Sequence, residues 1–379
     1  MGASRDDGCA YVRVSWRAAA LTVRAVHTVA VTVPMRFALG TSAATVREAP
    51  LLLVDLLTEE DVTGRSYVFC YRPSGSIAIA AVLHEAVGLI TGDRLAPGAI
   101  AAKLERRYAL IGVTGVVRMA LSALDMALWD ALAVAARLPL AALLGATPRP
   151  LPAYNSCGLG LMTPEAAADE AEQLLEGGFR AVKLRLGYAT LAQDLAVTRA
   201  VRRRLADSIA VMVDYNQALT VAEAMARGRA MEGEGIYWIE EPIRHDNLAG
   251  YAKLARELAL PIQLGENFDG AKAMTAALDA AACDFVMPDA ARIGGVTGWL
   301  QAAGVAASRD VEMSSHLLPE ASAHLLAATP TAHWLEYVDW ANAILAEPLA
   351  IADGRAVASS SPGTGIAWND DGVARYRAK

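Results

Sequence analysis

The sequence predicts an α/β protein: a (β/α)7β-type TIM barrel carrying an α+β N-terminal capping domain. Three carboxylates, Asp214, Glu240 and Glu266, each close a short apolar run: Val211-Met-Val-Asp214, Ile236-Tyr-Trp-Ile-Glu240 and Ile262-Gln-Leu-Gly-Glu266. They recur about every 25 residues, roughly the length of one βα unit. The same pattern extends to both sides. Leu151 to Ser156, Ala181 to Arg185, Asp284 to Asp289, Val311 to His316 and His333 to Glu336 bring the strand candidates to eight, with alanine-rich helical stretches between most of them. In such a barrel the C-terminal strand ends converge on one face, where catalysis takes place.

Taken in order, residues 1–20 lack the charged-then-apolar-then-small order of a signal peptide and read as an extension without a catalytic role. The capping domain spans 21–147. It opens with β-rich runs, Leu21 to Val33 and Pro50 to Leu57, and continues into helices that include Val116 to Asp130. Between the two β runs, residues 34–50 are rich in small residues and turn signals and are expected to form a loop, with an ordinary hairpin crossover as the alternative. Gly145 to Pro152, with three prolines, is the linker into a barrel spanning 148–345, and 346–379 is a separate C-terminal segment.

Composition narrows the function classes. A chain of 379 residues is long enough for a barrel plus a second domain. Its net charge of −7 argues against a nucleic-acid partner. No run of eighteen uninterrupted apolar residues occurs, so no membrane span is expected and the chain reads as a cytoplasmic enzyme. Cys9, Cys70, Cys157 and Cys283 are too scattered for zinc or a disulfide framework and are expected to be reduced thiols. Cys157, just past the first barrel strand, is a small filler or a wall of the site.

Three acids at one barrel mouth repel one another unless a hard cation joins them, and an all-oxygen donor set suits Mg²⁺. Asp214, Glu240 and Glu266 are therefore the expected metal ligands. Lys183 and Arg185 lie two apart on one strand and point the same way. Asp289 and His316 close neighbouring strands and can meet, the carboxylate orienting the imidazole and raising its basicity, which makes them the expected base. His27, His84, His245, His324 and His333 lack such a setting and read as structural.

Val213-Asp-Tyr-Asn-Gln217, Trp238-Ile-Glu-Glu-Pro242, Gly265-Glu-Asn267, Met287-Pro-Asp289, Ile293-Gly-Gly-Val-Thr-Gly-Trp299, Ser314-Ser-His-Leu317 and the run from Ser322 to Glu336 together resemble the mandelate racemase branch of the enolase superfamily, over a stretch from about residue 21 to the C-terminus. The resemblance implies removal of the α-proton of a small 2-hydroxycarboxylate through an ene-diolate stabilised by Mg²⁺. It implies that Lys183 adds positive charge at the carboxylate, that Glu336 is held protonated and donates to it, and that Ser156, Asn216 and Leu317 touch the substrate. It also implies that the 34–50 loop closes over the mouth, with Leu39, Ala43 and Val46 joined by Phe69 and Tyr71 in a distal pocket. The C-terminal segment would return to the cap, and the assembly would be a homo-oligomer, commonly an octamer in the family.

One position departs from the pattern. The racemases carry Lys-X-Lys where this chain has Lys183-Leu-Arg185, and a guanidinium is normally a fixed charge rather than a base. The leading expectation is a racemase or epimerase acting on an aromatic or apolar 2-hydroxyacid, which the mostly apolar lid favours. The second is an acid-sugar dehydratase using the His-Asp dyad as sole base. The third is a Mg²⁺-carboxylate binding protein without turnover.

Overall fold

The computed structural model describes residues 20–41 and 44–378. The N-terminal extension through residue 19 and the lid residue Ala43 lie outside the described residues. The chain opens with an antiparallel sheet in the order β1 (Val23–Gly40), β2 (Thr45–Thr58), β3 (Thr63–Phe69). Helices α1 (Pro73–Ile90), α2 (Pro97–Arg107), α3 (Gly115–Ala136) and the single turn α4 (Leu140–Leu143) follow. By length and composition α1 and α3 are apolar enough to cross a membrane. In this fold α3 is the buried spine between the cap sheet and the barrel, which accounts for its run of Ala, Leu and Met.

The barrel alternates β4 (Leu151–Asn155), α5 (Pro164–Gln173), β5 (Ala181–Arg185), α6 (Leu191–Arg204), β6 (Ala210–Asp214), α7 (Val221–Met231), β7 (Ile239–Glu240), α8 (Leu248–Glu257), β8 (Ile262–Leu264), α9 (Ala271–Asp279) and β9 (Phe285–Val286). The short α10 (Ala290–Ile293), α11 (Gly295–Ala307), α12 (Pro319–Ala327) and β10 (Leu335–Tyr337) complete it. Neighbouring strands from β4 to β9 pair in parallel, and β10 pairs back onto β4 with Glu336 opposite Tyr154. The seventh strand position, around Met313 and His316, is held by isolated parallel bridges rather than a continuous ladder. Its serine hydroxyls do part of the pairing: Ser314 Oγ accepts from Trp334 N and Ser315 Oγ from Glu336 N.

The barrel helices begin where the sequence supplies side-chain caps. Thr163 accepts from Ala166 N, Thr190 and Thr220 form capping boxes with Gln193 and Glu223, and Asn247 accepts from Gly250 N. Each cap satisfies donors left free by the first helical turn and is worth about 1 kcal/mol. After β10, β11 (Ile351–Ala352) and β12 (Arg355–Ala356) form a hairpin whose second strand pairs antiparallel with β4, and the segment ending in α13 (Asp370–Tyr376) returns to the cap, where Trp368 Nε1 donates to Asp55 and Ala378 N to Ala30 O.

The 34–50 segment differs from the expected loop. β1 and β2 continue through it as one long hairpin, Leu39 opposite Val46 and Gly40 opposite Thr45, with a register break between Pro34 and Leu39. Pro34 and the small residues mark that break rather than the end of pairing. The hairpin end nevertheless reaches the barrel mouth. Leu161 N, in the loop after β4, donates to Gly40 O at 3.0 Å, and a Cβ on Gly160 would lie 2.3 Å from Gly40 N, so two backbones meet where only glycine fits.

Candidate active site

Parallel register brings the acids together. Arg185 pairs with Asp214 and Asp214 with Glu240, so the ends of β5, β6 and β7 stand side by side. Glu266 follows β8 after Gly265. One carboxylate oxygen each from Asp214, Glu240 and Glu266 lies within 4.8 Å of the others. Asp214 and Glu240 are buried and Glu266 is partly open.

This donor set fits a hard divalent cation. Burial raises Asp214 above the ordinary carboxylate range and Glu240 to about 8, against the pull of the Lys183 ammonium, and repulsion among the acids adds to the rise. A shared cation relieves both costs. Asn216 donates to both oxygens of Asp214, through its backbone N (2.7 Å) and its Nδ2 (2.9 Å), while its own Oδ1 is buried without a partner.

Lys183, 1% exposed, is the hub of the other side. Its Nζ lies 2.5 Å from Glu240, 2.7 Å from Glu336 and 3.5 Å from Asp214. Burial opposes its charge, but the three carboxylates hold it protonated, above the usual lysine range. Glu336 also accepts from Leu317 N at 2.9 Å and from the Ser156 hydroxyl. Burial alone would raise Glu336, yet Lys183 and His316 hold it below the ordinary carboxylate range. The ammonium of Lys183 at 2.7 Å favours the anionic form of Glu336, the opposite of the protonated form that the resemblance implies.

His316 and Asp289 meet as expected, Nδ1 to Oδ2 at 2.8 Å. The other ring nitrogen, Nε2, faces the centre of the site, 3.2 Å from Glu266 and 3.8 Å from Glu336. Burial works against the imidazolium, but Glu266, Glu336 and Asp289 together raise its pKa well above that of a free histidine.

Arg185 is 4% exposed and already engaged. Nη1 donates to Ser156 O (2.9 Å) and Gly158 O (2.7 Å), and Nη2 to Ser156 Oγ (2.9 Å). Ser156 thus stands between Arg185 and Glu336. Of the distal set, Phe69 is buried and packs at a tilt against Tyr71 (ring centroids 4.6 Å apart) and Trp340 (4.8 Å), forming an aromatic wall from the cap to the end of β10. Leu39 and Val46 are half-buried on the hairpin. Cys157 lies 3.3 Å from Asp339 and is one of three free cysteines among the described residues.

Left-handed backbone gathers here. Tyr71 (φ 61°), Asn216 (φ 44°), Gln217 (φ 64°), Glu241 (φ 35°) and Leu317 (φ 51°) all lack the glycine that tolerates this region, at a cost of order 1 kcal/mol each. Three neighbours of the site were not singled out by sequence. Glu241 is fully buried, donating to nothing, with Oε2 accepting from Asn267 and Oε1 without a partner. Asn267 also donates to Glu266 at 3.2 Å, and Arg292 donates to Asn267 at 2.9 Å. The signal was adjacency: each lies within three residues of Glu240, Glu266 or Asp289.

Comparison with known proteins agrees with this architecture. The mandelate racemase / muconate lactonizing enzyme N-terminal domain matches residues 23–145 and the enolase C-terminal domain-like family matches 166–372. A crystal structure of an enolase from the alpha proteobacterium BAL199 with bound magnesium superposes with a TM-score of 0.93 at 43% identity, covering 94% of this chain and all (100%) of that one. A Bradyrhizobium enolase complexed with magnesium and mandelic acid gives 0.91 at 40% identity, covering 95% and 99%. The L-talarate/galactarate dehydratase of Salmonella typhimurium is 33% identical over 85% of this chain and 81% of its own length. With both domains matched and the fold superposed nearly end to end, the chain belongs to the mandelate racemase/muconate lactonizing enzyme family of the enolase superfamily.

Proposed function

We propose that this protein is a magnesium-dependent lyase of the acid-sugar dehydratase type, which removes the α-proton of a polyhydroxy carboxylate and expels the β-hydroxyl as water. The observation that carries this reading is the state of Arg185. Its three hydrogen bonds to Ser156 and Gly158 commit the guanidinium as a fixed donor, which leaves His316 with Asp289 as the one proton-accepting pair at the mouth. A racemase needs a base on each face of the α-carbon, whereas an eliminating enzyme needs one. The talarate/galactarate dehydratase relative supports the same choice. The racemase, the leading expectation from sequence, becomes the second reading.

Asp214, Glu240 and Glu266 would hold Mg²⁺, which supplies Lewis-acid polarisation of the substrate carboxylate. Lys183 places a buried ammonium beside the same group, so negative charge developing at the carboxylate meets a fixed cation. His316 Nε2 takes the α-proton. The electron pair left at the α-carbon becomes the Cα–Cβ double bond as the Cβ–O bond breaks, and the imidazolium protonates the departing hydroxide. The enol so formed tautomerises to a 2-keto-3-deoxy acid. Asp289 keeps the ring oriented through Nδ1.

The racemase or epimerase reading keeps one specific support: the Phe69, Tyr71 and Trp340 wall, together with a 40% identical neighbour that holds mandelic acid. One experiment separates the two. The enzyme is incubated with Mg²⁺ in D₂O with galactarate, related acid sugars and single enantiomers of mandelate, while keto-acid formation, α-deuteration and chirality are followed separately. The lyase reading expects a keto acid from an acid sugar and no inversion of mandelate. Equal exchange on both faces of mandelate, with no keto acid from any acid sugar, would overturn it.

A further inference from the structure

Arg292 is a cation with no directly paired carboxylate among the described residues: Tyr71 hydrogen-bonds it, and Asp289 and Glu266 act on its charge only from farther off. It lies on α10, three residues past Asp289, with its guanidinium 4.9 Å from the centre of the Tyr71 ring. Nη1 donates to Asn267 Oδ1 at 2.9 Å, whereas Nε is buried without a partner. Among the described residues no carboxylate forms an ion pair with it, although the neighbouring Arg118 has two, Glu105 and Asp269. A buried guanidinium N–H left without a partner is costly unless an acceptor completes it, and an anionic acceptor suits it best.

Space for that group exists. Arg292 lines a cavity of about 230 Å³ together with Gly115, Arg118, His245, Asn267 and Asp269. Asp269, the one acid in this lining, is already engaged by Arg118, so the uncommitted charge is positive. The cavity is also tied to the reacting end of the site, because the Asn267 amide that accepts from Arg292 donates to Glu266 and Glu241. The unpartnered Nε–H of this guanidinium suits a carboxylate oxygen in both charge and direction.

We propose that Arg292 binds the second carboxylate of a dicarboxylic acid sugar whose first carboxylate lies against Lys183 and the three acids. This rests on the lyase reading for which end of the substrate reacts, and it narrows the substrate class to diacids.

The test is binding by the full-length, Mg²⁺-loaded protein with His316→Asn in place, so that turnover does not interfere. Galactarate is compared with galactonate, which has the same carbon chain and a hydroxymethyl group in place of the second carboxylate. Calorimetry should show galactarate binding at least about tenfold more tightly. Arg292→Met should remove that preference and leave galactonate affinity unchanged within about twofold. Arg292→Lys, which keeps the charge, should retain part of the preference and guards against reading misfolding as loss of a contact. Equal affinities, no binding of galactarate, or a preference that survives Arg292→Met would overturn the proposal. So would inorganic phosphate that binds through Arg292 without competing with galactarate, since that describes a separate anion site. A diacid preference in an enzyme that forms no keto acid would leave this proposal standing and overturn the lyase reading instead.

Discussion

The two ends of one barrel treat a buried histidine in opposite ways. At the mouth, His316 faces Glu266, Glu336 and Asp289, and their charge outweighs the cost of burial and raises the pKa of the ring. At the floor, His333 lies among Tyr237, Trp238, Phe285 and Trp334, and burial lowers its pKa to about 4. Both rings are 7% exposed, so burial is not what differs. The difference is the charge that the strands deliver to each end. Ile236-Tyr-Trp-Ile-Glu240 shows it in a single run, aromatic below and acidic above. The floor spends its residues on packing, and the mouth accepts crowded charge and left-handed backbone that packing alone would remove.

The largest effect is expected from dismantling the charge at the mouth. Asp214→Asn removes a ligand oxygen charge and should weaken Mg²⁺ binding by at least about 100-fold, more than loss of a supporting residue costs. Chelation with EDTA should abolish turnover and Mg²⁺ should restore it. Full activity in EDTA would mean that the three acids are not a metal site. His316→Asn should lower turnover by about 10²–10⁴-fold while Mg²⁺ affinity stays near that of the unchanged protein. Joint loss of both would instead make the histidine part of the metal site's scaffold.

A smaller effect sharpens the acid–base contrast. His316 acts as a base only when neutral, and its surroundings raise its pKa, so kcat/KM should rise with pH and fall as acid keeps the ring protonated. Asp289→Asn removes one of the anions that stabilise the imidazolium, and the rising limb should move to lower pH along with a drop in rate. A limb that stays in place would separate Asp289 from the titration.

Arg185→Lys tests the residue that decides between the two chemistries. If Arg185 clamps the Ser156–Gly158 turn, lysine provides fewer directed donors and activity should fall about tenfold, with no inversion of mandelate. If the variant instead gains racemisation by orders of magnitude, the position is that of a second base and the racemase reading prevails.

How far sequence reached follows from the range of the interactions. Strand-end acids are local signals, and the period from Asp214 to Glu266 was enough to place them on one face. Whether Glu336 is charged depends on Lys183, more than 150 positions away in the chain, and only packing brings Lys183 to 2.7 Å from it. Residues 34–50 read as a loop or a hairpin crossover alike for a similar reason. Leu39 and Val46 look like isolated apolar residues until the β1–β2 register pairs them. Arg292 and Asn267 are not legible because their bond to each other and that of Asn267 to Glu241 join residues about 25 positions apart, which only packing brings together.

The effect farthest from the chemistry concerns the floor. His333 has hydrogen-bonding neighbours at Tyr237 OH (2.9 Å) and Ser314 Oγ (3.4 Å), and the nearest carboxylate, Glu312, is half exposed at 3.7 Å. With a folded pKa of about 4 against an ordinary 6.5, the unfolded chain takes up this proton first as pH falls. Its contribution to stability is therefore complete above about pH 6.5 and is lost progressively down to about pH 4. At 1.4 kcal/mol per unit the loss is about 3 kcal/mol. His333→Phe keeps a ring among the aromatics and cannot take the proton. Denaturant unfolding at pH 7 and pH 4.5 should show the unchanged protein losing more stability between the two than the variant does, by about 2–3 kcal/mol. Equal losses would mean that His333 is already charged in the folded protein, and the contrast between the two ends of the barrel would then fail at its apolar end.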